Sequence, residues 1–112
     1  MKKEWLHSLD AAITICDKKG MIVYMNRKSV ESFSKEGGKK LIGSSLLDCH
    51  PEQTRSIIKE MLKTEKENIY SVEKNGIKKL IVQKPVYEHG NFAGFLEMSI
   101  ILPNDLQNLI RT

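Results

Sequence analysis

The chain has 112 residues, 40% of them hydrophobic and 29% charged, with a formal net charge of +4. That is room for one domain with one core, and the composition is that of an ordinary soluble protein. No apolar run is long enough to span a membrane, and Met1-Lys2-Lys3-Glu4-Trp5 opens no signal-peptide core. The cysteines, Cys16 and Cys49, show no disulfide framework, which points to reduced thiols and a cytoplasmic chain. Lysines such as Lys18-Lys19, Lys39-Lys40 and Lys78-Lys79 sit in turns and strand ends. With no basic helix or aromatic-interleaved basic stripe, no nucleic-acid partner is expected.

In chain order, residues 3–10 place Trp5, Leu6 and Leu9 on one helical face, which predicts a short amphipathic helix. Residues 12–16 read as a strand, followed by the turn Asp17-Lys18-Lys19-Gly20. Gly20 supplies the positive φ of that turn and Asp17 can hydrogen-bond its backbone. Residues 21–25 are too short and too apolar for a surface helix, so they form a second, buried strand of a hairpin. Asn26 then caps a helix carrying Val30 and Phe33 on one face, and Gly37-Gly38 stops it.

Residues 39–50 make a compact connector with one or two helical turns. Pro51 is expected as the first residue of the longest helix, with Glu52 at the positive end of its dipole. Ile57, Ile58, Met61 and Leu62 form the apolar stripe of that helix. Three strands follow, over residues 68–74, 78–87 and 92–102. They are separated by the Asn75-Gly76 hairpin signal and by the turn at Glu88-His89-Gly90-Asn91. Pro103 ends the last strand, and Leu106, Leu109 and Ile110 predict the start of a further helix.

The order is two strands, several short helices, one longer helix and three strands. With Asp17…Gly20…Ile22…Asn26, the stretch Leu41-Ile42-Gly43-Ser44-Ser45-Leu46-Leu47 and Gly90…Gly94, the chain resembles a PAS (Per-Arnt-Sim) domain over residues 10–102. The resemblance implies an α+β fold: a five-stranded antiparallel sheet in the order 2-1-5-4-3, short helices on one face and an N-terminal amphipathic helix. Residues 1–10 would be that helix, 11–103 the PAS domain, and 104–112 a tail or the start of a signalling helix. The implied function is a cytoplasmic sensory or interaction module in signal transduction. It would bind a small molecule or mediate dimerisation, act on a signalling partner or output domain outside this chain, and have no catalytic residues.

Both alternating sets of the last strand contain apolar groups, so neither sheet face should be freely solvated. A homodimer is expected through Trp5, Leu6 and Leu9 together with Leu80, Val82 and Phe95. By resemblance, Gly94, Leu96 and Met98 face the interior beside Ile81 and Gln83, with Ile57, Ile58 and Met61 on the opposite wall. That interior is either a filled aliphatic core or a ligand pocket. Gln83 stands apart, because a buried amide needs partners that a ligand could provide.

Asp48-Cys49-His50-Pro51 is the one constellation with chemistry in it. It stands at the positive end of the long helix, where a thiolate is favoured. Three readings stay open: haem ligation by His50 or Cys49, redox sensing by Cys49, or a buried cysteine beside a helix-capping histidine. Nucleophilic catalysis would need an oriented base, and His7 and His89 belong to the N-terminal helix and a turn. No Cys-x-x-Cys pattern is present, so no structural metal is expected. Haem-binding relatives usually carry the axial histidine inside the long helix, where Thr54 to Leu62 has none. Light-sensing relatives carry Asn-Cys-Arg-Phe-Leu-Gln where this chain has Leu-Leu-Asp-Cys-His-Pro, so flavin photochemistry is not expected. The cofactor stays unassigned, with haem as the alternative.

Overall fold

Asp17 builds the first hairpin. In the computed structural model, which describes residues 3–48 and 50–112, its Oδ1 accepts hydrogen bonds from the backbone N–H of Lys19 at 2.9 Å and Met21 at 3.0 Å. Gly20 turns the chain at φ 86°. The turn joins β1 (Ala12–Asp17) to β2 (Ile22–Met25). α1 (Lys3–Ser8) precedes the hairpin and α2 (Arg27–Ser32) follows it. Two short 3-10 turns, Ser34–Glu36 and Gly38–Leu41, lead towards α3 (Glu52–Thr64), and β3 (Asn68–Lys74), β4 (Ile77–Glu88) and β5 (Asn91–Leu102) complete the chain.

The strands form one sheet in the order β2-β1-β5-β4-β3, and every neighbouring pair is antiparallel. This is the architecture that the sequence predicted. The central pair is β1 with β5, which brings Ala12 opposite Ser99 and Asp17 opposite Gly94. The buried hydrophobic residues gather around it: Ala11, Ala12, Ile13, Cys16, Ile22, Met25, Ile81 and Phe95. The connector is pinned to β2, where Ile22 donates to the Ser44 carbonyl at 2.9 Å and accepts from Gly43 at 2.7 Å.

Local differences from the sequence reading have physical causes. Pro51 is the cap residue of α3 rather than its first helical residue, with an extended ψ of 163°. Its carbonyl still accepts from the Arg55 N–H at 2.9 Å, so the helix is nucleated one position later than expected. The tail forms a turn at Asn104-Asp105 and no helix. Leu106, Leu109 and Ile110 are 62%, 68% and 86% exposed, and so short an amphipathic segment does not hold a helix without a surface to pack on. α1 packs against α2. Trp5 and Leu9 are 66% and 46% exposed, so the stripe expected to cover the outer sheet face stays largely at the surface.

Asn26 does far more than cap α2. It is completely buried, and its Oδ1 accepts from Ile13 N at 2.9 Å and Ser29 N at 3.0 Å. Its Nδ2 donates to the Leu6 carbonyl at 3.1 Å and the Ala11 carbonyl at 2.8 Å. Removing the amide would strand buried donors and acceptors on three elements. Asn26→Ala is therefore expected to destabilise the fold by about 2–4 kcal/mol in urea denaturation. Asn26→Asp should do at least as badly, because a carboxylate oxygen would meet two carbonyls. A loss below about 1 kcal/mol for Asn26→Ala would refute this account of the network.

Candidate functional site

The inner face of the sheet is set by register. Thr14 of β1 lies opposite Glu97 of β5, Glu97 opposite Gln83 of β4, and Gln83 opposite Asn68 of β3. Cross-strand partners share a face, so these four residues make a polar row across the sheet. Cys16 pairs with Phe95 one row away, and Tyr70 pairs with Ile81 on the other side. All but Ile81 line a cavity of about 600 Å³. Its other walls are Thr54, Ile57, Ile58, Met61 and Leu62 of α3, Phe33 after α2, and Leu46 and His50 of the connector.

α3 roofs this cavity without filling it. None of its residues is buried, although its apolar stripe faces inward, and Ile57 is 56% exposed. A helix packed on a filled core would bury that stripe. The volume lies within the range of about 300–1,000 Å³ typical of small-molecule sites.

The polar floor is directional. Asn68 Nδ2 donates to Gln83 Oε1 at 3.3 Å, and Gln83 Nε2 donates to Glu97 Oε2 at 2.9 Å. The chain of donors ends on the carboxylate. Burial pushes the Tyr70 phenol above its usual range, and the Glu97 charge adds to the effect. Burial likewise raises the Cys16 thiol, with the charges of Asp17 and Glu97 adding and a hydrogen bond from the Phe95 backbone opposing. Glu97 thus makes its field felt on both sides of its row.

His50 lines the same cavity, and its Nδ1 lies 2.7 Å from the Leu46 carbonyl. A carbonyl only accepts, so Nδ1 carries a proton, and the tautomer this selects for a neutral ring has its lone pair on Nε2. Cys49 lies outside the described residues. Among the described residues, no group of three His, Cys, Asp or Glu side chains is placed to hold a metal ion, and no helix is long and apolar enough to cross a membrane.

Of the residues expected in the pocket, Ile57, Ile58, Met61 and Gln83 line it, and Ile81 is buried on the same face beside it. Gly94, Leu96 and Met98 do not. They belong to the opposite face with Leu80 and Val82, and Phe95, expected on that outer face, is a cavity wall. The cause is a β-bulge. Tyr87 pairs with Phe92 but Val86 pairs with Gly94, leaving Ala93 as an extra residue in β5. A one-residue slip exchanges the two faces of everything beyond it. The bulge also explains Gly94, at φ 151°, where an added Cβ would lie 1.9 Å from the Cys16 carbonyl oxygen.

Glu97, Asn68, Tyr70, Thr14 and Cys16 went unrecognised as cavity residues. Alternation alone placed Glu97 with Phe95, and only the bulge reveals that this set faces inward.

A family model described as the PAS fold matches residues 1–96. The chain belongs to the PAS family. Solved structures agree on the fold. A C-terminal domain from Streptococcus mutans is 18% identical, with a TM-score of 0.70 over 84% of this chain and 77% of that one. A sensory box sensor histidine kinase from Vibrio cholerae is 20% identical, with a TM-score of 0.63 over 90% and 89% of the two chains. The Aer2 receptor of Vibrio cholerae, described as a dual PAS-heme oxygen sensor, is 14% identical, with a TM-score of 0.59 over 83% and 95%. No curated protein matches the chain in sequence. PAS domains are typical of sensor histidine kinases and other signalling proteins, and the family is generally non-catalytic.

The position of Cys16, 5% exposed with a raised thiol pKa, has a measurable consequence. Only the thiolate alkylates. At mildly alkaline pH, Cys16 in the folded PAS domain should react with iodoacetamide at least roughly tenfold more slowly than in denaturant, followed by peptide mass spectrometry. Equal rates would mean that the cavity floor is open to reagent and the thiol unperturbed.

Proposed function

We propose that this PAS domain is a cytoplasmic sensory module that takes a small molecule into the cavity under α3 and passes its occupancy to a signalling partner. The observation that carries this reading is the hollow itself: apolar walls, a hydrogen-bonded polar floor and a roofing helix with no buried residue. A few oriented polar groups in an apolar pocket are what ligand recognition needs. α3 also has little holding it down, so an occupant that packs against Ile58 and Met61 would order it.

Homodimerisation is the second half of the proposal. Leu80, Val82, Leu96 and Met98 form a half-buried apolar strip on the outer face of the sheet. Trp5 and Leu9 of the N-terminal segment add exposed apolar surface, with Leu6 beside them on α1. A second copy would cover this surface.

Native mass spectrometry of the purified protein tests the cavity. A bound species is expected that disappears on denaturation and is weakened or lost in Ile58→Trp, whose indole would intrude on the cavity. Both proteins appearing at their own bare polypeptide masses, with no small molecule released, would overturn the reading.

Haem is the alternative, and His50 favours it. A histidine that donates Nδ1–H to a carbonyl and keeps Nε2 free is prepared as a metal ligand, and the relative named for heme sensing shares the fold. The rest of the cavity fits less well, because no lysine or arginine among the described residues lines it to meet the propionates. Added haemin should give a Soret band lost in His50→Ala if this alternative holds, and its absence would leave the small-molecule reading alone.

A further inference from the structure

We infer that the cavity selects an amine: a molecule with an apolar body and one protonated nitrogen, received by Glu97. The inference rests on the small-molecule reading above and names the class of ligand.

The chain carries 18 lysines and arginines, yet none of them lines the cavity among the described residues, while a carboxylate does. A net positive protein has thus kept a negative site inside. Asn68 orients Gln83, and Gln83 donates to Oε2 of Glu97. No described side chain donates to Oε1, so the carboxylate retains acceptor capacity that only an occupant or water can use. Cys16, Thr54 and Tyr70 also line the cavity, and none of them donates to Glu97 among the described residues. Thr14 is engaged with the Ser29 hydroxyl, and the Nδ1–H of His50 is directed to the Leu46 carbonyl.

A ligand carboxylate or phosphate in this space would meet Glu97 without a cation to offset it. A neutral ligand could hydrogen-bond but would gain no charge assistance. A protonated amine gains both, while Ile58, Met61, Leu62 and Phe95 receive its apolar body. Discrimination therefore comes from the floor and affinity from the walls.

The test uses three probes that share one body and differ only in the head: phenethylamine, phenethyl alcohol and hydrocinnamate, titrated calorimetrically into the purified protein. Phenethylamine is expected to bind at least about tenfold more tightly than the alcohol, with hydrocinnamate weakest. Glu97→Gln, which keeps the shape and can still accept from Gln83, should abolish the preference for the amine, so that amine and alcohol bind within about twofold of each other. Equal or tighter binding of the alcohol or the carboxylate overturns the inference, as does an amine preference that survives in folded Glu97→Gln. Should that variant fail to fold, the rank order on the unmodified protein decides. If none of the probes binds, the molecule released from native protein decides instead: an amine upholds the inference and an anion or a neutral molecule overturns it. No probe binding together with nothing released would overturn the cavity reading itself.

Discussion

The fold depends first on one buried amide. Asn26 uses both lone pairs of its oxygen and both hydrogens of its nitrogen, so its side chain is fully satisfied at zero exposure. Its four partners belong to the residue chain around α1, to the start of β1 and to the first turn of α2. Moving any of them would leave a polar group unpaired in a dry environment. The network fixes the position of β1, and β1 carries Thr14 and Cys16 to the cavity floor. It also sets the course of α2, after which Phe33 enters the cavity wall. Three walls of the site are thereby located by one side chain that does not line it.

Much of this was legible in the sequence because local chemistry and global fold agree. Asp17, Gly20 and Asn26 specify a turn and a cap with little help from their surroundings, and the structure places hydrogen bonds where those residue types predict them. The strand order became legible through the resemblance to PAS domains, since nothing local in β1 says that it pairs with β5. What alternation could not convey was phase. Both faces of β5 carry apolar residues, so its pattern has no polar side to mark solvent. Ala93 adds one residue to the strand, and every assignment beyond it exchanges faces. Gly94, Leu96 and Met98, placed inside by resemblance, and Phe95, placed outside, all stood on the faces that a ladder without the bulge would give them.

The long helix shows a different limit. Ile57, Ile58, Met61 and Leu62 form an apolar stripe whether they pack on a core or overhang a void, so the sequence is equally consistent with either. The structure distinguishes them because Ala12, Ile13 and Cys16 of β1 and Phe95 of β5 are buried while α3 has no buried residue. The sheet half of the domain is therefore its stable scaffold, and the α3 half has fewer packed contacts to lose on moving. Glu65 closes the helix in the left-handed conformation, at φ 59°, and its carboxylate accepts from the Tyr87 hydroxyl at 2.9 Å. The roof is tethered to the scaffold at its C-terminal end, and an exposed contact of that kind restrains position more than it stabilises.

Strand geometry gives the floor a direct mechanical link to the opposite face. Glu97 points into the cavity between Leu96 and Met98, which point out of it, and Gln83 likewise has Val82 at its back. A charge brought to Glu97 would act on the Glu97–Gln83 hydrogen bond, which spans β4 and β5 at their centre. Any change in the spacing or twist of that pair is carried, within one residue, to the apolar strip where a partner would sit. The bulge makes this arrangement: were Ala93 paired with Val86 in an unbroken ladder, Leu96 would oppose Gln83 on the inner face and Glu97 would oppose Val82 on the outer one, giving an apolar floor and a charged outer face. One extra residue in the last strand thus decides both what the cavity can recognise and what the outer surface can bury.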